Sequence, residues 1–187
     1  MDITFGSGFA NQFATNIGLV TSNGAHGQNI MACEWTHHLS YRPGLIAVSV
    51  NPRHATYENI QSTGEFGIGI CADDQSVIAS VSGKESGRNF NKIKVLEEMG
   101  FQFQSAGNIN VLMTEGTAAN FECRLAYQHT MGDHTLFVGQ VLNATHHPNK
   151  RPLIYHHGKY WVLETPAQKT SEEEREKINI LYQQHRK

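Results

Sequence analysis

The sequence predicts a mainly β fold of antiparallel strands with a few short helices, and three observations carry that reading. Short apolar runs bounded by Gly, Asn, Asp and Pro dominate the chain. Two of these runs alternate with a period of two. The helical candidates between them are few and short, like insertions between strands.

The strand candidates are 13–21, 29–39, 45–50, 65–71, 120–129, 135–144 and 153–163, the last turning at Gly158. Along 120–127, Phe121, Cys123, Leu125 and Tyr127 alternate with Glu122, Arg124 and Ala126, setting an apolar face against a polar one. Along 136–142, Leu136, Val138, Gln140 and Leu142 give the phase of the next strand. Strands of this kind pair well in a barrel wall. Helices are predicted over 54–63, 74–82 and 88–99, each opening near a Thr, Asp or Asn able to cap it. Near the C-terminus Ser171 and Glu174 form a capping box, with acids in the first turn and Arg186 and Lys187 in the last. Ile178, Leu181 and Tyr182 give that helix a narrow apolar stripe. Residues 166–170 read as a linker, so the expected organisation is one domain over 1–165 and a linker and helix over 166–187.

Composition narrows the function. Of 187 residues, 39% are hydrophobic and 17% charged, enough to bury a core. Fifteen Lys and Arg against 17 Asp and Glu leave a formal charge of −2, which offers no field for a polyanion, and nucleic acid is not expected as a partner. Residues 3–33 lack charge, but Asn11, Gln12, Thr15, Asn16, Ser22 and Asn23 interrupt any signal-peptide core. The longest apolar-leaning runs, 44–50 and 66–72, are seven residues each, against about 20 for a membrane-spanning helix. A cytoplasmic chain with no membrane partner is expected. Cys33, Cys71 and Cys123 are odd in number and free of any C-x-x-C, and read as reduced thiols.

Several motifs fail on mechanism. Gly67, Gly69 and Ala72 satisfy G-x-G-x-x-A, but they lie inside an apolar run, and Asp73 and Asp74 would repel a pyrophosphate. The pairs His37-His38, His146-His147 and His156-His157 place adjacent imidazoles on opposite faces of a strand, so no metal site is expected. No G-x-S-x-G elbow is present. Residues 51–60 are more informative, because they follow an apolar strand and open a helix. The Arg53 guanidinium, the Thr56 hydroxyl and the free N–H groups of the first helical turn would converge on one phosphate, the alternative being an N-cap with a solvated Arg. Residues 82–88 add Lys84, Arg88 and two glycines able to close over the same anion.

Asn29-Ile30-Met31-Ala32-Cys33-Glu34-Trp35-Thr36, then Ser40-Tyr41-Arg42-Pro43, Arg53-His54-Ala55-Thr56-Tyr57-Glu58-Asn59-Ile60 and Thr63-Gly64-Glu65-Phe66 together resemble the flavin reductase-like family of FMN-binding split barrels. Gly132-Asp133-His134-Thr135-Leu136-Phe137-Val138-Gly139-Gln140-Val141 resembles that family's later GDH strand, so the likeness runs over residues 10–163 in family order. The family commonly continues the Ser82-Gly83-Lys84 segment with Asp-Lys-Phe, where this chain has Asn89-Phe90-Asn91-Lys92-Ile93.

The resemblance implies an antiparallel Greek-key split β-barrel, a homodimer, and FMN near the subunit interface. It implies flavin contacts at Asn29, at Met31, Ala32, Cys33, Glu34, Trp35 and Thr36, and at Ser49 and Asn51. It places the phosphate around Arg53 and Thr56, helped by Ser82, Lys84 or Arg88. His134 is the implied catalytic residue, near where donor or acceptor meets the flavin. The expected activity is an NAD(P)H-dependent flavin reductase, with NADH or NADPH as donor and a small-molecule acceptor or partner redox protein as the electron sink. Two alternatives share the fold: a flavoredoxin-type electron carrier without direct NAD(P)H oxidation, and a ferric-complex reductase in which a Cys33 thiolate could ligate iron.

Overall fold

The computed structural model describes residues 2–186. Its strands are β1 (Thr15–Asn16), β2 (Gly18–Ser22), β3 (Asn29–Cys33), β4 (Thr36–Tyr41), β5 (Gly44–Val50), β6 (Glu65–Ile70), β7 (Phe103–Ser105), β8 (Leu112–Thr114), β9 (Ala119–Met131), β10 (His134–His146), β11 (Ile154–His156) and β12 (Lys159–Trp161). The helices are α1 (Ala55–Thr63), α2 (Ser76–Lys84), α3 (Lys92–Glu98) and α4 (Glu172–Gln184), with a short 3₁₀ turn at Ala10–Gln12. The principal sheet has the order β3-β2-β6-β9-β10-β5-β4, every pairing antiparallel.

The edges of that sheet, β3 and β4, are joined by Glu34 and Trp35 alone. Six strand spacings would hold flat edges about 29 Å apart, whereas the chain from Cys33 to Thr36 reaches at most about 11 Å. The sheet therefore curls on itself. Its turn is tied to β5, since the Ser49 amide donates to the Trp35 carbonyl at 3.0 Å and the Cys33 thiol donates to the Ser49 carbonyl at 3.5 Å.

Curling produces two cores. Val20, Met31, Val48, Phe66, Ile68, Cys123 and Phe137 fill the interior of the curled sheet. Leu19, Ile30, Ile78, Ala79, Ile93, Leu96 and Leu153 pack outside it, under α2 and α3. Leu19 and Val20, like Ile30 and Met31, are sequence neighbours facing opposite ways, which is why β2 is buried at all five positions. Gly67 sits inside β6 where a Cβ would run into Thr21 and Met113, so its glycine serves sheet packing.

Several expectations need correction. The 29–39 run is two strands broken at Glu34 and Trp35. In β10 the phase predicted from Leu136, Val138, Gln140 and Leu142 is wrong. Phe137 is fully buried and Val141 packs beside it, while Leu142 is exposed, and the ladder slips between Val138 and Gly139. Glu122, assigned to the solvent face, is buried. The three-residue strands β7 and β8 were not anticipated. Neither α1 nor α2 has a side-chain N-cap, whereas Asn91 caps α3 by accepting from the Lys94 amide at 3.0 Å.

The Ser171–Glu174 capping box of α4 is present, but the helix ends before Arg186, and Lys187 lies outside the described residues. No residue of α4 is buried. Among the described residues, no helix is long and apolar enough to cross a membrane.

Candidate functional site

The site gathers where β5 ends. Asn51 is the pin: its Nδ2 donates to the Asp133 carbonyl at 3.0 Å, and its Oδ1 accepts from the Arg53 amide and from Arg53 Nε, both at 3.1 Å. One buried amide thus joins the turn before β10 to the start of α1 and aims the Arg53 guanidinium. The remaining nitrogens of that guanidinium have no protein partner among the described residues. Because His54 leaves α1 without a side-chain cap, the Ala55 and Thr56 amides are also open to an incoming anion, while the Tyr57 amide donates to the His54 carbonyl at 3.1 Å.

Behind α1, Asn29 on β3 donates through Nδ2 to Thr56 Oγ1 at 2.9 Å. Its Oδ1 is buried with no partner, as is Ser82 Oγ. Gly87 comes so close that a Cβ there would collide with the Asn29 amide, so this contact admits glycine alone. Lys92, read from sequence only as part of a departure from the family pattern, is buried, and its Nζ donates to the Ser82 carbonyl at 2.8 Å. Partial burial, and then the charges of Lys92, Arg53, His134 and Arg88, hold the His54 imidazole below its usual pKa.

The expected helper Arg88 is otherwise engaged. It grips Glu58 with both NH groups at 2.9 and 3.3 Å and donates through Nε to the Arg53 carbonyl at 3.1 Å. His26 closes on the same Glu58 carboxylate. That partnership spans 30 positions in sequence, which no local motif could report. Lys84 ends α2 as an exposed side chain with no ion pair among the described residues.

On the other side of Arg53, the His134 ring lies 4.6 Å from the Trp35 ring, centroid to centroid, and is held from behind by Asp133 Oδ1 at 2.9 Å. The hydrogen bond to His134 keeps the Asp133 carboxyl below its ordinary pKa. Trp35 is 52% exposed, so the pair forms an open aromatic wall. Met31 and Cys33 turn their side chains into the interior core, whereas Ala32 and Glu34 are half-buried. Thr36 is buried and donates to the Cys33 carbonyl at 3.0 Å.

Burial pushes the Cys33 thiol above its ordinary pKa. Its side chain packs in the interior core and donates to the Ser49 carbonyl. Among the described residues, no group of three or more His, Cys, Asp or Glu converges as a metal site.

These residues fit a phosphorylated flavin. Arg53 and the open N–H groups of α1 suit a phosphate, Asn29 Oδ1 and Ser82 Oγ are left for a ligand hydroxyl, and the rings of Trp35 and His134, tilted by 48° to one another, supply aromatic surface.

The chain is similar to known flavin reductases in sequence and in structure. The chain is 29% identical over 148 residues to the FMN reductase (NADH) SmoA of Agrobacterium fabrum, covering 79% of each chain. It is 26% identical over 159 residues to an NADH-dependent flavin reductase of a Rhodococcus species, covering 82% of each. In structure it matches BorF, the flavin reductase component of a bacterial two-component tryptophan halogenase, with a TM-score of 0.74 and 27% identity over 85% of this chain and 96% of that one. The profile of the flavin reductase like domain matches residues 10–164, and the chain belongs to the flavin reductase-like family.

Proposed function

We propose that the chain is an FMN-binding flavin reductase that takes its electrons from NADH. The observation that carries this reading is the cationic, uncapped start of α1, with Arg53 aimed by Asn51 and buried polar atoms of Asn29 and Ser82 left for a ligand. The names of SmoA and the Rhodococcus relative support FMN and NADH. One phosphate-sized site without a second pyrophosphate-binding turn supports FMN over FAD. The chemistry FMN supplies when bound is two-electron redox chemistry on its ring system.

The protein's part is binding, orientation and electrostatics. Arg53, Thr56 and the α1 amides hold the phosphate, Asn29 accepts from the ribityl chain, and Trp35 and the backbone of residues 31–36 flank the ring. The electron sink is a small-molecule acceptor or a partner redox protein. The reductase component of a trigonelline monooxygenase, 25% identical over 134 residues, supports the second. Flavin released by heating the purified protein should run as FMN, and anaerobic NADH should bleach it. Recovery of FAD alone, or a spectrum unmoved by both NADH and NADPH, would overturn the assignment.

His134 is the proposed catalytic residue, since its ring is fixed by Asp133 and Trp35 at the mouth of the site. There it can hydrogen-bond the nicotinamide amide or stabilise charge on the reduced ring. His134→Ala is expected to leave FMN bound and lower turnover about tenfold or more, equivalent to about 1.4 kcal/mol. Unchanged kinetics at full flavin occupancy would make His134 a residue that only ties the turn before β10.

A homodimer is also proposed. Leu39 and Tyr41 on β4, Tyr127 and Met131 on β9, and Ile178, Leu181 and Tyr182 on α4 are all exposed apolar surface that a second copy would cover. Light scattering should give about twice the 20.9 kDa of one chain, and a monomer mass at low concentration would reject the dimer.

A further inference from the structure

The apolar stripe of α4 has no cover within the chain. None of the helix's residues is buried, and residues 164–171, which lead to it, are all exposed. A helix of 13 residues is of the length at which a helix alone in water is marginal, because most helical stability comes from packing one face against something else. The capping box and the acids of the first turn favour its start, but they leave Ile178, Leu181 and Tyr182 in solvent. The packing has to come from another molecule.

The order of residues along the stripe says what fits it. Spacings of four, three and four put Glu174, Ile178, Leu181 and His185 on one face, the a and d positions of a short coiled-coil seam, with Arg175 and Tyr182 along one flank. Charge is divided along the helix. Glu172, Glu173, Glu174 and Glu176 outnumber Arg175 and Lys177 in its first half, no acid follows them, and His185 and Arg186 stand at its end. Two such helices packed in the same direction would set acid against acid. Packed antiparallel, they bring Ile178 opposite the partner's Leu181, Glu174 opposite the partner's His185 and Arg175 beside the partner's Tyr182.

We infer that the occupant of the α4 stripe is the α4 helix of a second copy of this chain, held antiparallel. This rests on the reading of the chain as a homodimer. Ile178, Leu181 and Tyr182 from each copy are too little surface for a stable interface, which takes about 1,200 Å² or more. The pair therefore forms where the barrels are already joined. Residues 164–171 reach at most about 29 Å, so the two helices are tethered at high effective concentration. The pairing strengthens the dimer and selects its own kind, since a helix without the same order of charges would meet repulsion.

The test uses the full chain with one cysteine added on the stripe, the native Cys33, Cys71 and Cys123 being buried. Ile178→Cys and Leu181→Cys, both at exposed positions, are oxidised with diamide, each alone and the two co-expressed. Antiparallel pairing puts position 178 against position 181, so a disulfide-linked dimer is expected chiefly from the co-expressed pair. Leu181→Asp should raise the dimer dissociation constant by about tenfold or more, because it places a carboxylate in the seam, and should lower the helical signal in circular dichroism. Efficient cross-linking of each variant alone would mean parallel pairing and overturn the proposal. A dimer of undiminished strength in Leu181→Asp, or no cross-link from the co-expressed pair, would mean that α4 lies elsewhere and overturn it too. If wild type is a monomer by light scattering, the homodimer reading has failed and the pairing with it.

Discussion

Arg53→Ala is expected to weaken FMN binding by about 1.5 to 3 kcal/mol, the range for a hydrogen bond to a charged group, which is about 10- to 150-fold in Kd. The lower half of that range applies here, because the guanidinium is exposed and solvent screens part of its charge. Aim sets the size of the effect. Asn51 Oδ1 holds Arg53 Nε at 3.1 Å, so the side chain is ordered before any ligand arrives and little rotamer entropy remains to be lost on binding. Asn51→Ala should therefore reproduce part of the loss without touching the guanidinium, and it also frees the Asp133 carbonyl at the foot of His134. Fluorescence titration of FMN against both variants checks this. Unchanged affinity in Arg53→Ala would mean that the phosphate lies elsewhere.

The β character of the chain, the order of its principal elements and the cationic start of α1 were legible because each is written locally. Strand, helix and strand follow one another along 44–70, and Arg53 and Thr56 stand just beyond an apolar strand where the helix begins. What escaped depends on partners distant in sequence. Arg88 reads as a free cation until Glu58 is folded beside it, and Lys92 reads only as part of a departure from the family pattern until α2 covers it with the Ser82 carbonyl.

The inverted face of β10 has a different cause. Thr135, Phe137, Gly139 and Val141 alternate strictly on the interior face of β10, the phase opposite to that of Leu136 and Leu142, and the one-residue slip beside Val138 and Gly139 lies in β9, where Ala126 has no partner. Gly139 marks the place, since any side chain there would strike the Phe66 ring and Cys123.

Glu122 escaped for both reasons, and the largest stability effect is expected there. On β9 it alternates as a solvent-facing residue, but the chain between β7 and β8 folds over it. Its carboxylate accepts from the Gly107 amide at 3.2 Å, the Asn108 amide at 2.7 Å, Asn108 Nδ2 at 3.0 Å and Asn143 Nδ2 at 3.1 Å. Burial alone would raise its pKa, yet these four donors together hold it below the ordinary glutamate value. Three-residue strands carry too little periodicity to announce such a cover, and β7 and β8 depend on this anchor more than on their own pairing.

Glu122→Ala strands two backbone N–H groups and two side-chain amides, and is expected to cost about 3 kcal/mol. In a chain of this size that lowers Tm by about 6 to 12 °C. Glu122→Gln keeps the shape but turns an NH₂ toward existing donors, so it should recover little. The sign with pH follows from the lowered pKa. The contribution of Glu122 is complete above the unfolded-state value of about 4.3 and is lost as pH falls through the lower folded-state value. Denaturant unfolding at neutral pH should therefore separate wild type from Glu122→Gln, with the gap closing in acid below that range. A gap that is small at neutral pH, or that persists undiminished in acid, would mean that the loop is held by packing of Ile109 and Val111 against Met113 and not by the carboxylate.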